Sequence, residues 1–121
     1  MTSLLRSFRN ALRGIATTFR TERSFRIQIA VGVVALALLS MLPLAAWERA
    51  IIVLVVTLVL VLELVNSSLE RLVDLAKPRL HAYAGEIKDV MAGGVLVASV
   101  GAVILGLIIL GPHVITILLR V

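Results

Sequence analysis

The sequence contains no cysteine, which excludes disulfides, thiolate metal centres and a cysteine nucleophile. Aromatic residues are scarce, one Trp, one Tyr and three Phe in 121 residues, so no basic run is interleaved with rings on which nucleic-acid bases could stack. Acid is nearly absent from the N-terminal quarter. Before Ile27, Glu22 is the only carboxylate against Arg6, Arg9, Arg13, Arg20, Arg23 and Arg26. A basic segment of that kind, in a chain with net charge +5, suits an anionic membrane surface.

Aliphatic residues fill the space that these absences leave. Hydrophobic residues make up 60% of the chain, above the roughly 45–50% usual in soluble proteins. They are mostly Leu, Val, Ile and Ala, and the mean hydropathy is +1.10. Three uncharged stretches stand out: 27–47, 50–62 and 90–119, of 21, 13 and 30 residues. A helix needs about 20 apolar residues to cross a bilayer. The first and third stretches reach that length alone, whereas the second does so only by continuing through Glu63. The expected architecture is one all-α membrane domain over 1–121: an amphipathic interfacial helix at 3–22, then spans at 26–45, 47–74 and 88–119.

At the N-terminus Leu5, Phe8, Leu12, Ile15 and Phe19 recur at steps of three and four, with Arg6, Arg9, Arg13 and Arg20 opposite. This pattern predicts a helix lying in the inner interface. The charged region is too long for a cleaved signal peptide. A mitochondrial transit peptide fits the Arg-rich pattern, but it leaves Glu22 without a purpose.

Leu42 to Arg49 is read as a short loop, broken by Pro43 and marked by the interfacial Trp47, so spans one and two form a hairpin. Arg71, Lys77, Arg79 and Lys88 cluster before the third span, and the other two ends carry only Arg49 and Arg120. The positive-inside rule therefore puts the N-terminus in the cytoplasm and the C-terminus outside. In the third span Gly94, Ala98, Ala102 and Gly106 form a small-residue seam for close helix packing, and Pro112 is expected to kink or end the helix.

The chemistry sits on the second span. At about 100° per residue, with Glu63 at zero, Asn66 lies near −60°, Ser67 near +40°, Glu70 near −20° and Asp74 near +20°, all on one face. An acid in the apolar zone costs about 2.5–3.5 kcal/mol. Trp47 to Glu63 spans about 24 Å of helix, which sets Glu63 just inside the inner edge of a roughly 30 Å hydrocarbon core. A structural alternative pairs Glu63 and Glu70 with Arg26 or Lys88. A second polar cluster, His81 and Gly85-Glu86-Ile87-Lys88-Asp89, precedes the third span, where Lys88 and Asp89 are expected to cap the helix. Carboxylates able to hold a divalent ion, a Lys able to meet phosphate and an acid able to take a proton suit metal-assisted phosphoryl transfer. No GxxxxGK[ST] loop or protein-kinase signature is present. A competing reading is a small ion-conducting or transporter subunit with Glu63 and Glu70 lining a path.

The run Glu63-Leu64-Val65-Asn66-Ser67-Ser68-Leu69-Glu70-Arg71-Leu72-Val73-Asp74, with Lys88-Asp89 downstream and Thr21-Glu22-Arg23-Ser24-Phe25-Arg26 before the first span, resembles the prokaryotic diacylglycerol kinase family, which includes undecaprenol kinases. The resemblance covers nearly the whole chain. It implies a homotrimer of three-span subunits in the bacterial inner membrane, with active sites shared between neighbours at the cytoplasmic interface. It implies ATP as phosphate donor, an accompanying metal ion and a membrane lipid alcohol as acceptor; Mg2+ is the ion expected, on availability and oxygen ligands. By position Glu63 resembles the general base, with Arg26 beside it on the lipid-substrate side, and Glu22 and Glu70 resemble the metal ligands. Asn66, Asp74, Lys88 and Asp89 match residues that arrange phosphates and metal, while Asn10 and His81 fall where the family contacts nucleotide. Gln28 and Ala92 stand where the Gram-negative diacylglycerol kinases have an acid and a Ser. Together with Val90-Met91-Ala92-Gly93-Gly94 and the Asp74-Leu75-Ala76-Lys77-Pro78 turn, they lean toward undecaprenol as substrate, with diacylglycerol close behind.

Overall fold

The structure, a computed structural model, describes residues 2–121. Four helices follow one another: α1 (Thr2–Thr21), α2 (Arg23–Met41), α3 (Ala46–Leu80) and α4 (Ala84–Leu119). The last three are long and apolar enough to cross a membrane. At 35 residues α3 extends about 52 Å, well beyond a roughly 30 Å hydrocarbon core, so its polar end stands outside the apolar layer.

α3 is the central element. It packs against both α2 and α4, and α1 lies against the α2–α3 pair. The buried cluster Leu39, Leu42, Leu44, Ile52 and Ile109 closes the hairpin end of the bundle. Elsewhere large aliphatics such as Val33, Leu54, Val97 and Leu107 are exposed, as lipid-facing positions should be. α2 and α3 approach closely at Gly32, where a Cβ would lie 2.9 Å from Val56 Cγ1.

Several boundaries differ from the sequence expectation. The hairpin connection is only residues 42–45; Glu48 and Arg49 already belong to α3, where the Glu48 carboxylate accepts the Ala45 backbone N–H at 2.8 Å. The expected turn from Asp74 to Pro78 is helical, with Pro78 inside α3. α4 starts at Ala84, so Lys88 and Asp89 lie more than a turn inside it and do not cap it; Glu86 occupies its first turn. Pro112 does not end α4, which runs on to Leu119. Beyond Pro112 the chain is apolar again at Val114, Ile115, Ile117 and Leu118, and backbone in apolar surroundings keeps its polar groups inside the helix. At the two glycines of the small-residue seam no close helix contact forms among the described residues: an added Cβ at Gly94 or Gly106 meets nothing within 4 Å.

Along α1 the apolar row Leu5, Phe8, Leu12, Ile15 and Phe19 is exposed, between 42% and 65%, and covers no core of this chain.

Candidate active site

The site forms where the α1–α2 junction crosses the polar face of α3. α1 ends at Thr21 and α2 begins at Arg23, leaving Glu22 alone between them in extended conformation, φ −112° and ψ 111°. Glu22 occupies the N-cap position of α2, but its side chain makes no capping bond. It reaches across instead, and its Oε1 accepts a hydrogen bond from Ser67 Oγ on α3 at 3.3 Å.

A second bond runs the other way. Ser24 Oγ, in the first turn of α2, donates to Glu63 Oε2 at 3.2 Å. Glu63 is 5% exposed and Ser67 2%, so both lie in the seam between the helices. The junction is fixed by further contacts. Phe25 is 2% exposed. Arg26 Nη1 donates to the carbonyls of Phe19 at 2.8 Å and Arg20 at 3.1 Å, closing the C-terminal end of α1. Arg71 on α3 donates to Thr21 Oγ1 at 3.0 Å.

One turn further along α3, Asn66 Nδ2 donates to Glu70 Oε1 at 3.5 Å, while its Oδ1 is buried and has no partner. A buried carbonyl without a donor costs about 1–3 kcal/mol. Beyond it, Asp74 forms an ion pair with Lys88 Nζ on α4. Glu63, Asn66, Ser67 and Glu70 are therefore gathered with Glu22 and Ser24 at one end of the spans, and the Asp74–Lys88 pair borders them. Asp89 is exposed on α4, His81 is exposed in the α3–α4 turn, and Asn10 is exposed on α1; none of these three makes a side-chain hydrogen bond among the described residues. Neither Glu63 nor Glu70 pairs with Arg26 or Lys88; the only ion pairs among the described residues are Lys88–Asp74 and His113–Glu48.

Among the described residues no three His, Asp or Glu side chains converge on a preformed metal cage. What this end of the spans offers is oxygen: the Glu22 carboxylate at the junction, and the Glu70 carboxylate and unpartnered Asn66 Oδ1 one turn apart on α3. Oxygen donors of this kind suit a hard cation that keeps several waters and takes its remaining ligands from phosphate oxygens, as Mg2+ does.

Ser24 and Ser67 have no assigned role in the sequence reading. Ser67 shares the helical face of Glu63, a usable signal. Ser24 lies across a helix break, and nothing in its spacing points at Glu63.

Three apolar helices with carboxylates collected at one end describe a polytopic membrane protein with a polar site at the boundary of its spans. The family model for prokaryotic diacylglycerol kinase matches residues 9–110, and the chain belongs to that family; it is a membrane lipid kinase. It is 40% identical to a diacylglycerol kinase of Synechocystis over 96% of this chain and 67% of that protein. It is 38% identical to the undecaprenol kinase of Bacillus subtilis over 88% of this chain and 87% of that protein. A diacylglycerol kinase of Escherichia coli K12 is 28% identical over 93% and 92% of the two chains.

Proposed function

We propose that the chain transfers the γ-phosphate of ATP to the hydroxyl of a membrane lipid alcohol, undecaprenol before diacylglycerol, at the cytoplasmic face of the bacterial inner membrane. The observation that carries this reading is the burial of Glu63, 5% exposed at the end of an apolar span, within a helical turn of Ser67, which binds Glu22. A lipid alcohol presents its hydroxyl at that depth, and ATP approaches from the aqueous side.

In this reading Glu63 accepts the proton of the lipid hydroxyl as its oxygen attacks the γ-phosphorus. The bond from phosphorus to the bridging oxygen breaks, and its electron pair leaves on ADP. Glu22 and Glu70, with Asn66 Oδ1, would hold Mg2+, which when bound neutralises charge developing on the phosphates. Lys88 meets phosphate, and Asp74 holds Lys88 until nucleotide arrives. Asn66, Asp89, Asn10 and His81 complete the nucleotide side; Arg26, fixed on the end of α1, stands on the lipid side.

The Arg-rich α1, with its apolar row exposed, lies on the inner leaflet, which puts the N-terminus in the cytoplasm and the C-terminus outside. The exposed faces of α3 and α4, including the seam at Gly94 and Gly106, are packed in a homotrimer whose neighbours complete the sites. Undecaprenol is favoured by Gln28, Ala92 and the Val90–Gly94 run, and is consistent with a match over most of the length of a protein named undecaprenol kinase.

Purified protein in mixed micelles with labelled ATP and Mg2+ tests this reading. Undecaprenol should be phosphorylated with at least about tenfold higher kcat/KM than diacylglycerol. Glu63→Gln should lower kcat by about 100-fold or more with helix content intact. Preference for diacylglycerol would reassign the acceptor, and an active Glu63→Gln would remove Glu63 as the base.

A further inference from the structure

Serine and threonine hydroxyls in helices ordinarily spend their proton on a carbonyl three or four residues earlier. Most in this chain do so: Thr17 donates to Arg13 O at 2.8 Å, Thr18 to Gly14 O at 3.0 Å, Thr57 to Val53 O at 2.8 Å, and Ser68 to Val65 O at 2.9 Å. Ser24 and Ser67 are different. Each donates across to a carboxylate on another segment, and the two bonds cross in opposite senses between the α1–α2 junction and α3.

We propose that Ser24 and Ser67 are positioning residues for phosphoryl transfer. Ser24 aims the Glu63 carboxylate at the lipid hydroxyl, and Ser67 holds the Glu22 carboxylate toward the cation. The proposal rests on the phosphoryl-transfer reading above.

Glu63 needs such a partner. It is 5% exposed, has no cation within ion-pair distance among the described residues, and has Ser24 as its one side-chain hydrogen-bond donor. Held through Oε2, it keeps Oε1 free to receive a proton along a fixed direction. Glu22 has the same economy: Oε1 is held by Ser67, and Oε2 remains for a ligand. As the N-cap residue of α2 it could have bonded its own helix, but its side chain makes no such bond. Because Ser67 follows Glu63 by four residues and Ser24 follows Glu22 by two, the crossed pair ties base and cation ligand to one rigid frame. Movement of one carboxylate relative to the other would break one of the bonds.

The test uses the full chain in mixed micelles, with Glu63→Gln as reference and Ser68→Ala, whose hydroxyl bonds its own helix, as control. Ser24→Ala should lower kcat about 10- to 100-fold, with KM for lipid and for ATP changed less than about twofold, and Ser24→Thr should restore most of the loss. Ser67→Ala should weaken Mn2+ binding about 10- to 100-fold, titrated by electron paramagnetic resonance with a non-hydrolysable ATP analogue. Both alanine variants remove only an oxygen, but Ser24→Ala leaves the buried Glu63 carboxylate without its donor, so its unfolding midpoint should fall somewhat and kcat is taken per folded protein at a temperature well below it.

Parental kcat in Ser24→Ala, or parental Mn2+ affinity in Ser67→Ala, would overturn the proposal while an inactive Glu63→Gln leaves the kinase reading standing. An equal loss in Ser24→Thr, or in the Ser68→Ala control, would also overturn it, since a general loosening of the junction then explains the effect. An active Glu63→Gln would remove the base itself, and the proposal with it.

Discussion

Lys88 on α4 is ion-paired to Asp74 on α3, fourteen residues away around the α3–α4 turn. The two side chains are 36% and 56% exposed, so water screens the pair and it contributes little to folding. In the proposed function it holds a cation near Glu70, ready for phosphate. Lys88→Ala should therefore leave thermal unfolding almost unchanged while lowering kcat/KM for ATP about 10- to 100-fold, the loss of one charge-assisted phosphate contact. Steady-state kinetics at varied ATP, beside an unfolding curve, checks both halves.

Asn66 should separate stability from activity. Its Oδ1 is buried without a donor, while its Nδ2 holds Glu70. Asn66→Leu removes the unpaired carbonyl and keeps the volume, so the unfolding midpoint should not fall, whereas activity should drop by about 100-fold or more. Parallel loss of stability and activity would mean that Asn66 is a packing residue.

Gly32 supplies a test of the α2–α3 approach. Alanine there brings a Cβ to 2.9 Å from Cγ1 of Val56, whose χ1 is stiff in a helix. Overpacking of this kind costs about 1–3 kcal/mol, partly offset by about 1 kcal/mol of helix propensity gained over Gly. Gly32→Ala should destabilise the parent but stabilise a Val56→Ala background. Equilibrium unfolding of the four proteins of that cycle would show the change of sign.

At the far end, Glu48 accepts the Ala45 N–H at 2.8 Å and lies 3.4 Å from His113 on α4. Ala45 has no side-chain acceptor, so the first turn of α3 depends on this return bond. Glu48→Ala should lower the unfolding midpoint, since the Ala45 N–H then loses its acceptor. Fifteen residues of helix, about 22 Å, separate it from Glu63, so kcat of the folded fraction should stay at the parent value.

How much of this was legible before folding depended on whether the relevant period lay within one element. The face of α3 was legible because helical geometry alone puts residues 63, 66, 67, 70 and 74 on one side. The apolar stretches announced the spans for the same reason. The ends were less legible: Lys88 and Asp89 looked like capping residues, yet α4 begins at Ala84, and Pro112 looked like a stop, yet the helix continues past it. A charge or a proline does not end a helix by itself: the turn closed by Ile87 N–H on Tyr83 O precedes Lys88, and the apolar residues after Pro112 carry the helix on to Leu119. The seam at Gly94 and Gly106 promised a close approach that this chain makes instead at Gly32, because small residues permit contact without saying which helix arrives.

The sequence by itself determined a membrane protein of three apolar spans with an acidic face near one boundary, because burial of backbone in lipid and helical periodicity are properties of a single segment. Only the tertiary structure decided that Ser24 meets Glu63, that Ser67 meets Glu22 and that Lys88 is held by Asp74. Those partners lie 39, 45 and 14 residues apart, and no local period relates positions on different helices; the crossing of the α1–α2 junction over α3 joins the first two pairs, and the return of α4 beside α3 joins the third.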